Sequence, residues 1–212
     1  SGGKDSVALA FALWRLRSYY EHPFHLHALT LDPCFYGKET GYSPIEDFFG
    51  EVGIPYTVIR SNIGRVVFET RREKNPCALC AKMRRGALHT AAKELGCNKI
   101  ALGHHLDDAI ETFFMNLLGQ GRINCFSPVT WLSRKQITLI RPFVLAEEKE
   151  VARAVREEHL PIVKNPCPVD GETARQQMKS FVMMRAEQDR SFRQKMLGAL
   201  QKADIDGWMP KK

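Results

Sequence analysis

The chain has 212 residues, of which 44% are hydrophobic and 26% are charged. This balance excludes a disordered tail and supplies enough apolar side chains for a sizeable core. No apolar run approaches the roughly 20 residues that a membrane-spanning helix needs, so no membrane association is expected. Lysine and arginine outnumber aspartate and glutamate by 31 to 24, a net charge of +7, which favours an anionic partner. A solvated basic surface would explain the excess equally well.

Apolar periodicity and the positions of proline and glycine predict alternating strands and helices. Ser43 is the expected N-cap of a helix that opens with Pro44. Gly96 is expected to end the helix predicted at 78–95. Strands are predicted at 24–31, 56–60, 99–102 and 136–140, helices at 7–20, 44–52, 78–95, 107–118, 147–159 and 173–203, and irregular segments at 62–76, 119–128 and 161–171.

Strands that alternate with long helices indicate an α/β fold, with an open, mostly parallel sheet and helices on both faces. A further strand is expected immediately before Ser1, because the chain opens on residues typical of a loop. The chain is interpreted as one domain, 1–212. Its helical C-terminal tail, 173–212, is either part of the helical layer or a small appendage.

The first six residues form a glycine-rich motif, Ser1-Gly2-Gly3-Lys4-Asp5-Ser6. Glycines let the backbone approach a ligand closely, and their amides, with the N-terminus of the next helix, form a site for anionic oxygens. The serine hydroxyls and the lysine suit phosphate, whereas the aspartate suits a metal ion or a hydroxyl. The spacing differs from that of the GxxxxGK[ST] loop. A plain glycine turn is the alternative.

A second motif, Gly103-His104-His105-Leu106-Asp107-Asp108, follows a predicted strand. Ligands of open α/β sheets bind at the carboxyl ends of the strands, where this motif and the glycine loop both fall. Asp108 is a candidate Mg²⁺ ligand beside a triphosphate. Alternatively, the histidines cap the next helix, and Asp107 and Asp108 are first-turn acids favoured by the helix dipole.

Three of the six cysteines are candidate ligands of a metal ion or cluster. Cys77 and Cys80 are two residues apart at the start of a predicted helix, a spacing that brings two thiolates to one centre. Cys167 lies far along the chain, and both Cys77 and Cys167 follow an Asn-Pro pair. A structural zinc site needs four ligands, whereas a cluster held by three thiolates would leave one iron open; on the residues alone both zinc and an iron–sulfur cluster stay open. Cys97 is expected to be a small buried residue at a helix end.

The glycine hexapeptide resembles the PP-loop of the N-type ATP pyrophosphatases, and GHHLDD resembles the second signature of their tRNA-modifying members. This resemblance implies a Rossmann-like fold of the adenine nucleotide alpha hydrolase type. The cysteine pair with a distant third cysteine is similar to the tRNA-cytidine 2-sulfurtransferase family. Leu139-Ile140-Arg141-Pro142 and the glutamine-rich stretch after Cys167 are local matches, so the resemblance covers nearly the whole chain.

The resemblance implies sites for three cofactors: ATP, Mg²⁺ and a [4Fe-4S] cluster. Cys77, Cys80 and Cys167 would hold the cluster. The ATP site would consist of Ser1, Gly2, Gly3, Lys4, Asp5, Ser6, Leu29, Thr30, Arg84, Gly103, Asp107 and Asp108, with Leu29 and Thr30 at a strand end near the adenosine. Catalysis would fall to Lys4, Asp5, Asp108 and the three cysteines. For Arg84, an exposed basic helix face is an equal alternative.

The implied reaction is thiolation of a tRNA base, with cytidine C2 in the anticodon loop as the expected target. Adenylation would activate the C2 oxygen and release pyrophosphate, and sulfur would then displace AMP. A cysteine desulfurase or free sulfide would supply the sulfur, in the cytoplasm, and a homodimer is one arrangement open to the chain. Basic residues expected to contact RNA are Arg71, Arg72, Lys74, Lys82, Arg84, Arg85 and Arg122.

Two other readings remain open on the sequence alone. The first is a PP-loop ligase or thiouridine synthetase that acts on another base, since the leucine in GHHLDD and the Asn-Pro-Cys-Pro sequence leave the target nucleoside undetermined. The second is a non-catalytic metal or redox protein with a degenerate ATP loop. The intact hexapeptide and Asp108 argue against the second reading.

Overall fold

The computed structural model describes residues 2–71, 75–164, 166–169, 174–203, 205 and 207–209. Within these ranges, helices and strands alternate from the N-terminus, as the pattern predicts. In chain order the elements are α1 Lys4–Leu16, β1 Ala28–Asp32, α2 Ser43–Val52, β2 Tyr56–Arg60, α3 Ile63–Arg65, α4 Pro76–Glu94, β3 Lys99–Ala101, α5 Leu106–Gln120, β4 Val129–Leu132, β5 Ile137–Ile140, α6 Glu148–Glu157, α7 Ala174–Gln188 and α8 Phe192–Lys202. The α/β class with mostly parallel strands is confirmed.

The strands form two hydrogen-bonded sheets. Strand β1 runs parallel to β2, with Thr30 opposite Val58. In the second sheet the order is β3-β5-β4, where β3 is parallel and β4 antiparallel to β5. The parallel strands therefore end at Asp32, Arg60, Ala101 and Ile140. The residues that follow these ends are the ones available for a ligand.

Several predicted boundaries were wrong. Helix α1 begins at Lys4 and not at residue 7, so Lys4, Asp5 and Ser6 occupy its first turn. Strand β1 begins four residues later than predicted and continues to Asp32, which places Leu29 and Thr30 inside the strand and not at its end. Ser43 is the first helical residue of α2, and its N-cap is Tyr42 without a side-chain hydrogen bond.

Three further predictions missed or merged elements. The segment 62–76 contains α3 and a π-helical turn, Val66–Thr70, because Ile63 and Val67 bury their side chains against Leu31. Strand β4 falls where only connecting chain was expected. The tail is two helices and not one, since Asp189 accepts hydrogen bonds from the backbone N–H and hydroxyl of Ser191 at the break.

The tail helices share a core with α5. Leu106 and Ile110 of α5, Val182 of α7 and Phe192 of α8 form one buried cluster. Leu200 of α8 is also fully buried. Because this core begins at the second motif, α7 and α8 lie directly behind the residues of that motif.

We expect Ile110→Ala to lower the free energy of unfolding by about 2–5 kcal/mol, since the side chain is fully buried and its removal leaves a cavity. Urea denaturation measures the change. Leu118→Ala on the same helix is the control, because Leu118 is 63% exposed and its loss should change stability by less than about 0.5 kcal/mol. Equal losses in the two variants would contradict the assigned core.

Candidate nucleotide and cysteine site

The glycine loop wraps closely around its neighbours. Gly2 has a φ of +72°, and a Cβ there would lie 2.9 Å from a ring carbon of Tyr42. Its carbonyl accepts a hydrogen bond from the N–H of Val163, at 2.9 Å. The loop is thus fastened to the segment that leads to Cys167. Gly3 is the N-cap of α1, so the first-turn amides of that helix point towards the loop.

The second motif packs against the same loop. A Cβ on Gly103 would lie 2.7 Å from the carbonyl oxygen of Asp5, so only glycine fits at this approach. His105 is the N-cap of α5: its ring accepts from the N–H of Asp108, and Asp108 accepts from the N–H of His105. His105 therefore caps the helix that follows it, which is the alternative role that the sequence left open. The two predicted motifs lie side by side, and the second follows the carboxyl end of β3.

Gly103→Ala is expected to weaken ATP binding by about tenfold or more, because the new methyl group must displace the backbone of the glycine loop. Calorimetric titration with ATP measures it. The control is Gly119→Ala in α5, where a Cβ meets no atom within 4 Å, so ATP affinity should stay unchanged. Full ATP affinity in Gly103→Ala would contradict the role of this contact.

Lys4 is held by two carboxylates. Its Nζ lies 2.7 Å from Oδ1 of Asp5 and 3.0 Å from Oε1 of Glu148. Burial opposes the charged ammonium, but the hydrogen bonds to Asp5 and Glu148 outweigh it and raise the pKa of Lys4. Lys4 is thus positively charged at neutral pH, as a phosphate ligand requires.

The start of α6 supplies Glu148, a residue that the sequence analysis missed. Burial alone would raise the pKa of Glu148, but hydrogen bonds from Lys179 and Lys4 lower it to about 2. The N–H of Glu148 donates to Oδ2 of Asp107 at 2.7 Å, and Arg193 donates to Oδ1 of Asp107 at 2.7 Å. Asp107 is almost fully buried, so in this structure its carboxylate anchors α6 and α8.

Asp108 faces the tail helix α7. Its Oδ1 lies 3.3 Å from Nη1 of Arg175. Nη2 of the same arginine donates to the hydroxyl of Thr112 at 3.0 Å. Glu111, one turn further along α5, is buried; burial and the nearby Asp108 raise its pKa to about 7. A carboxyl group beside the second motif is therefore partly protonated at neutral pH.

The loop that follows β5 supplies Arg141. Its guanidinium lies 4.8 Å from the ring centre of Phe126, and it donates to the carbonyl oxygen of Ser127 and to Nδ1 of His104, the latter at 3.3 Å. Burial lowers the pKa of His104 to about 4, so its imidazole is neutral. Arg141 thus holds the first histidine of the second motif in place.

The cysteine pair lies at the start of α4, as predicted. The side chain of Asn75 caps the helix by accepting from the N–H of Ala78 at 3.3 Å. Cys80 packs with Leu79 and Met83 against the buried cluster of β1 and α3. Cys77 is exposed, and Cys167 is half-buried. Cys97 lies after the end of the same helix and packs, partly buried, against the core of the second sheet.

Cys77, Cys167 and Arg84 all influence Cys80 electrostatically. Burial raises the pKa of Cys80, Arg84 partly offsets this, and Cys167 and Cys77 raise it further. The charge of Arg84 also acts on Tyr42, the residue that contacts Gly2. Arg84 therefore acts electrostatically both on a residue at the glycine loop and on the cysteine pair.

Within the described part of the chain, the predicted ligand side chains do not form a compact group that could bind one metal ion. Among the described residues, no group of three or more His, Cys, Asp or Glu side chains lies close enough to hold a metal ion. Ser1, Arg72 and Lys74 from the predicted sites fall outside the described ranges. Lys82 and Arg85 are exposed on α4, Arg71 is exposed before it, and Arg122 is exposed after α5.

The fold and its two motifs define a nucleotide-binding α/β protein that carries a cysteine pair at the start of α4. The family model described as a PP-loop domain matches residues 1–186. A tRNA-cytidine(32) 2-sulfurtransferase of Syntrophotalea carbinolica is 38% identical over 203 residues, 94% of this chain and 78% of the relative. The protein of that name in Geobacter sulfurreducens is 34% identical over the same shares. The chain therefore belongs to the PP-loop family and, within it, to the tRNA-cytidine 2-sulfurtransferase group.

A solved structure supports the fold. The U34-tRNA thiolase NcsA from Methanococcus maripaludis, with its [4Fe-4S] cluster, superposes with a TM-score of 0.76. It is 23% identical, and the match covers 98% of this chain and 71% of that one. At this identity the likeness shows a shared fold.

Proposed function

We propose that this chain thiolates cytidine in tRNA at the expense of ATP, using an iron–sulfur cluster held by Cys77, Cys80 and Cys167. The observation that carries the proposal is the contact of the glycine loop with Tyr42 and, through Val163, with the segment that leads to Cys167. The charge of Arg84 acts on both Tyr42 and Cys80, which supports the same arrangement. The relatives named tRNA-cytidine(32) 2-sulfurtransferase support cytidine 32 as the target.

The chemistry of the three thiols fits a cluster, because cysteine thiolate is the usual ligand of iron–sulfur clusters. A cluster with three protein thiolates leaves one iron open for the sulfur to be transferred. The structural neighbour, which shares the fold, carries a [4Fe-4S] cluster.

The protein residues supply the activation step. The first-turn amides of α1 and the ammonium of Lys4 stabilise the phosphates of ATP. The C2 oxygen of cytidine attacks the α-phosphorus, the bond to the β-phosphate breaks, and pyrophosphate leaves. Hydrosulfide then attacks C2, the C2–O bond breaks, and AMP leaves with the oxygen. In this proposal Asp108 and Asp5 would hold Mg²⁺ against the triphosphate, and Arg84 would hold the adenylate phosphate.

The basic face of α4 suits the tRNA backbone. Lys82 and Arg85 are exposed on the helix that carries Cys77 and Cys80, and Arg71 is exposed just before it. Contacts from these side chains to phosphates would position the RNA without reading its sequence. The target base would leave its stack to reach the strand ends.

The remaining parts of the proposal concern partners and location. A cysteine desulfurase or free sulfide supplies the sulfur, the protein works in the cytoplasm, and two copies associate. None of the described helices is long and apolar enough to cross a membrane.

Nucleoside mass spectrometry of tRNA tests the function. In a strain that lacks this protein, 2-thiocytidine should disappear and return when the wild-type chain or Cys97→Ser is supplied. Persistence of 2-thiocytidine in the deletion strain would contradict the proposal. Loss of a thiolated uridine instead would show that the target base is wrong while the class of reaction is right.

A further inference from the structure

Lys179 of α7 reaches the same oxygen atom as the loop lysine. Its Nζ lies 2.7 Å from Oε1 of Glu148, and Nζ of Lys4 lies 3.0 Å from that oxygen. The two ammonium groups therefore share one carboxylate oxygen of Glu148. Lys179 lies in a tail helix 175 residues from Lys4, so no local sequence signal links the two lysines.

The helix that carries Lys179 is fixed on both sides of it. One turn earlier, Arg175 pairs with Asp108 and donates to Thr112. Nearly one turn later, Val182 is buried against Leu106 and Ile110 of α5. Lys179 is 33% exposed, so its charge is accessible at the surface of the site.

The carboxylates around Lys4 offset its positive charge, so a bound triphosphate would need further cations. Asp5 and Glu148 both face Lys4, so a single lysine stands between two carboxylates. ATP adds several negative charges at the same place, and its phosphates compete with Glu148 for the ammonium groups.

We propose that Lys179 is a second phosphate-binding residue of the ATP site, and that Glu148 competes with the phosphates for Lys4 and Lys179. The proposal rests on the ATP site of the proposed function. The ligand class is a polyphosphate, since a cation beside Lys4 meets the phosphates and not the base. Glu148 holds both lysines in place and releases them to the phosphates.

Two substitutions separate this role from a purely structural one. If Lys179 binds phosphate, Lys179→Gln lowers the affinity for ATP and pyrophosphate by about tenfold, a typical loss for a charge-assisted contact. Glutamine has the shape of glutamate without its charge. Glu148→Gln therefore raises the affinity for ATP and for pyrophosphate, because the competing carboxylate is gone. If Lys179 only steadies Glu148, both substitutions change the affinity in the same direction.

The experiment is calorimetric titration of the purified chain with ATP, pyrophosphate and adenosine at one fixed salt concentration. Lys195→Gln is the matched control, because Lys195 is 68% exposed and pairs with Asp189 on the surface. Circular dichroism establishes that each variant is folded, and Lys179→Arg, which keeps the charge, should restore most of the affinity.

Opposite shifts for Lys179→Gln and Glu148→Gln, with adenosine affinity unchanged, support the proposal. Wild-type affinity in Lys179→Gln, or a loss in both variants, overturns it. Failure of the wild-type chain to bind ATP at all would instead overturn the proposed function, so the two failures are distinguishable.

Discussion

Cys80→Ser is expected to lose its bound iron and to reduce tRNA thiolation more than about 100-fold. The substitution removes a thiolate from the set Cys77, Cys80 and Cys167, and a serine hydroxyl is a poor ligand for iron in such clusters. Substitution of residues that only hydrogen-bond to the metal ligands typically lowers metal affinity or activity by about 10–100-fold. Loss of a direct ligand should therefore lower both by more. Iron analysis and nucleoside mass spectrometry of complemented strains measure the two effects.

The design of this variant separates cluster loss from misfolding. Cys80 lies on α4 and packs against a buried hydrophobic cluster, so the folding of Cys80→Ser needs its own measurement. ATP titration should show that this variant still binds nucleotide and is therefore folded. Cys97→Ser is the matched control, since Cys97 follows the end of the same helix and is only partly buried. Unchanged iron content in Cys80→Ser would contradict the ligand assignment.

Lys4→Met is expected to lower the rate of ATP-dependent thiolation by about 10²–10³-fold. Loss of one well-placed positive charge or donor that stabilises a transition state has effects of this size. The side chain is half-buried between Asp5 and Glu148, so methionine fills the space but leaves both carboxylates facing the phosphates. Release of pyrophosphate in the presence of tRNA measures the activation step directly.

Lys149→Met is the control for Lys4→Met. Lys149 follows Glu148 in α6, but its side chain is 73% exposed and pairs with Glu147. Pyrophosphate release should remain at the wild-type rate in this variant. A normal rate in Lys4→Met would show that the glycine loop does not act through its lysine.

Local sequence signals predicted the helices that carry the cysteine pair and the second motif. Helix α4 was predicted from residue 78 and begins at Pro76, and α5 was predicted from residue 107 and begins at Leu106. Helix signals of this kind act over a few residues, and so they can be read from one sequence. The placement of the second motif after a strand followed from the alternation of strands and helices.

Elements that depend on distant partners were not predictable in the same way. Strand β4 is only four residues long with exposed Val129 and Trp131, and it is ordered by pairing with β5. Helix α3 forms because Ile63 finds Leu31 in the folded chain. Glu148, Lys179 and Arg193 read as charged positions on surface helices. Their roles arise from contacts with residues that lie far away in sequence, to which hydrophobic periodicity is blind.

The most direct measurement is the metal and sulfide content of the wild-type chain purified without oxygen, compared with Cys167→Ser. Three thiolates around one cluster predict about four irons and four sulfides per wild-type chain. In Cys167→Ser both should fall to a small fraction of that amount, while ATP binding persists. A colourless wild-type protein that carries zinc, or a Cys167→Ser variant with full iron content, would contradict the account.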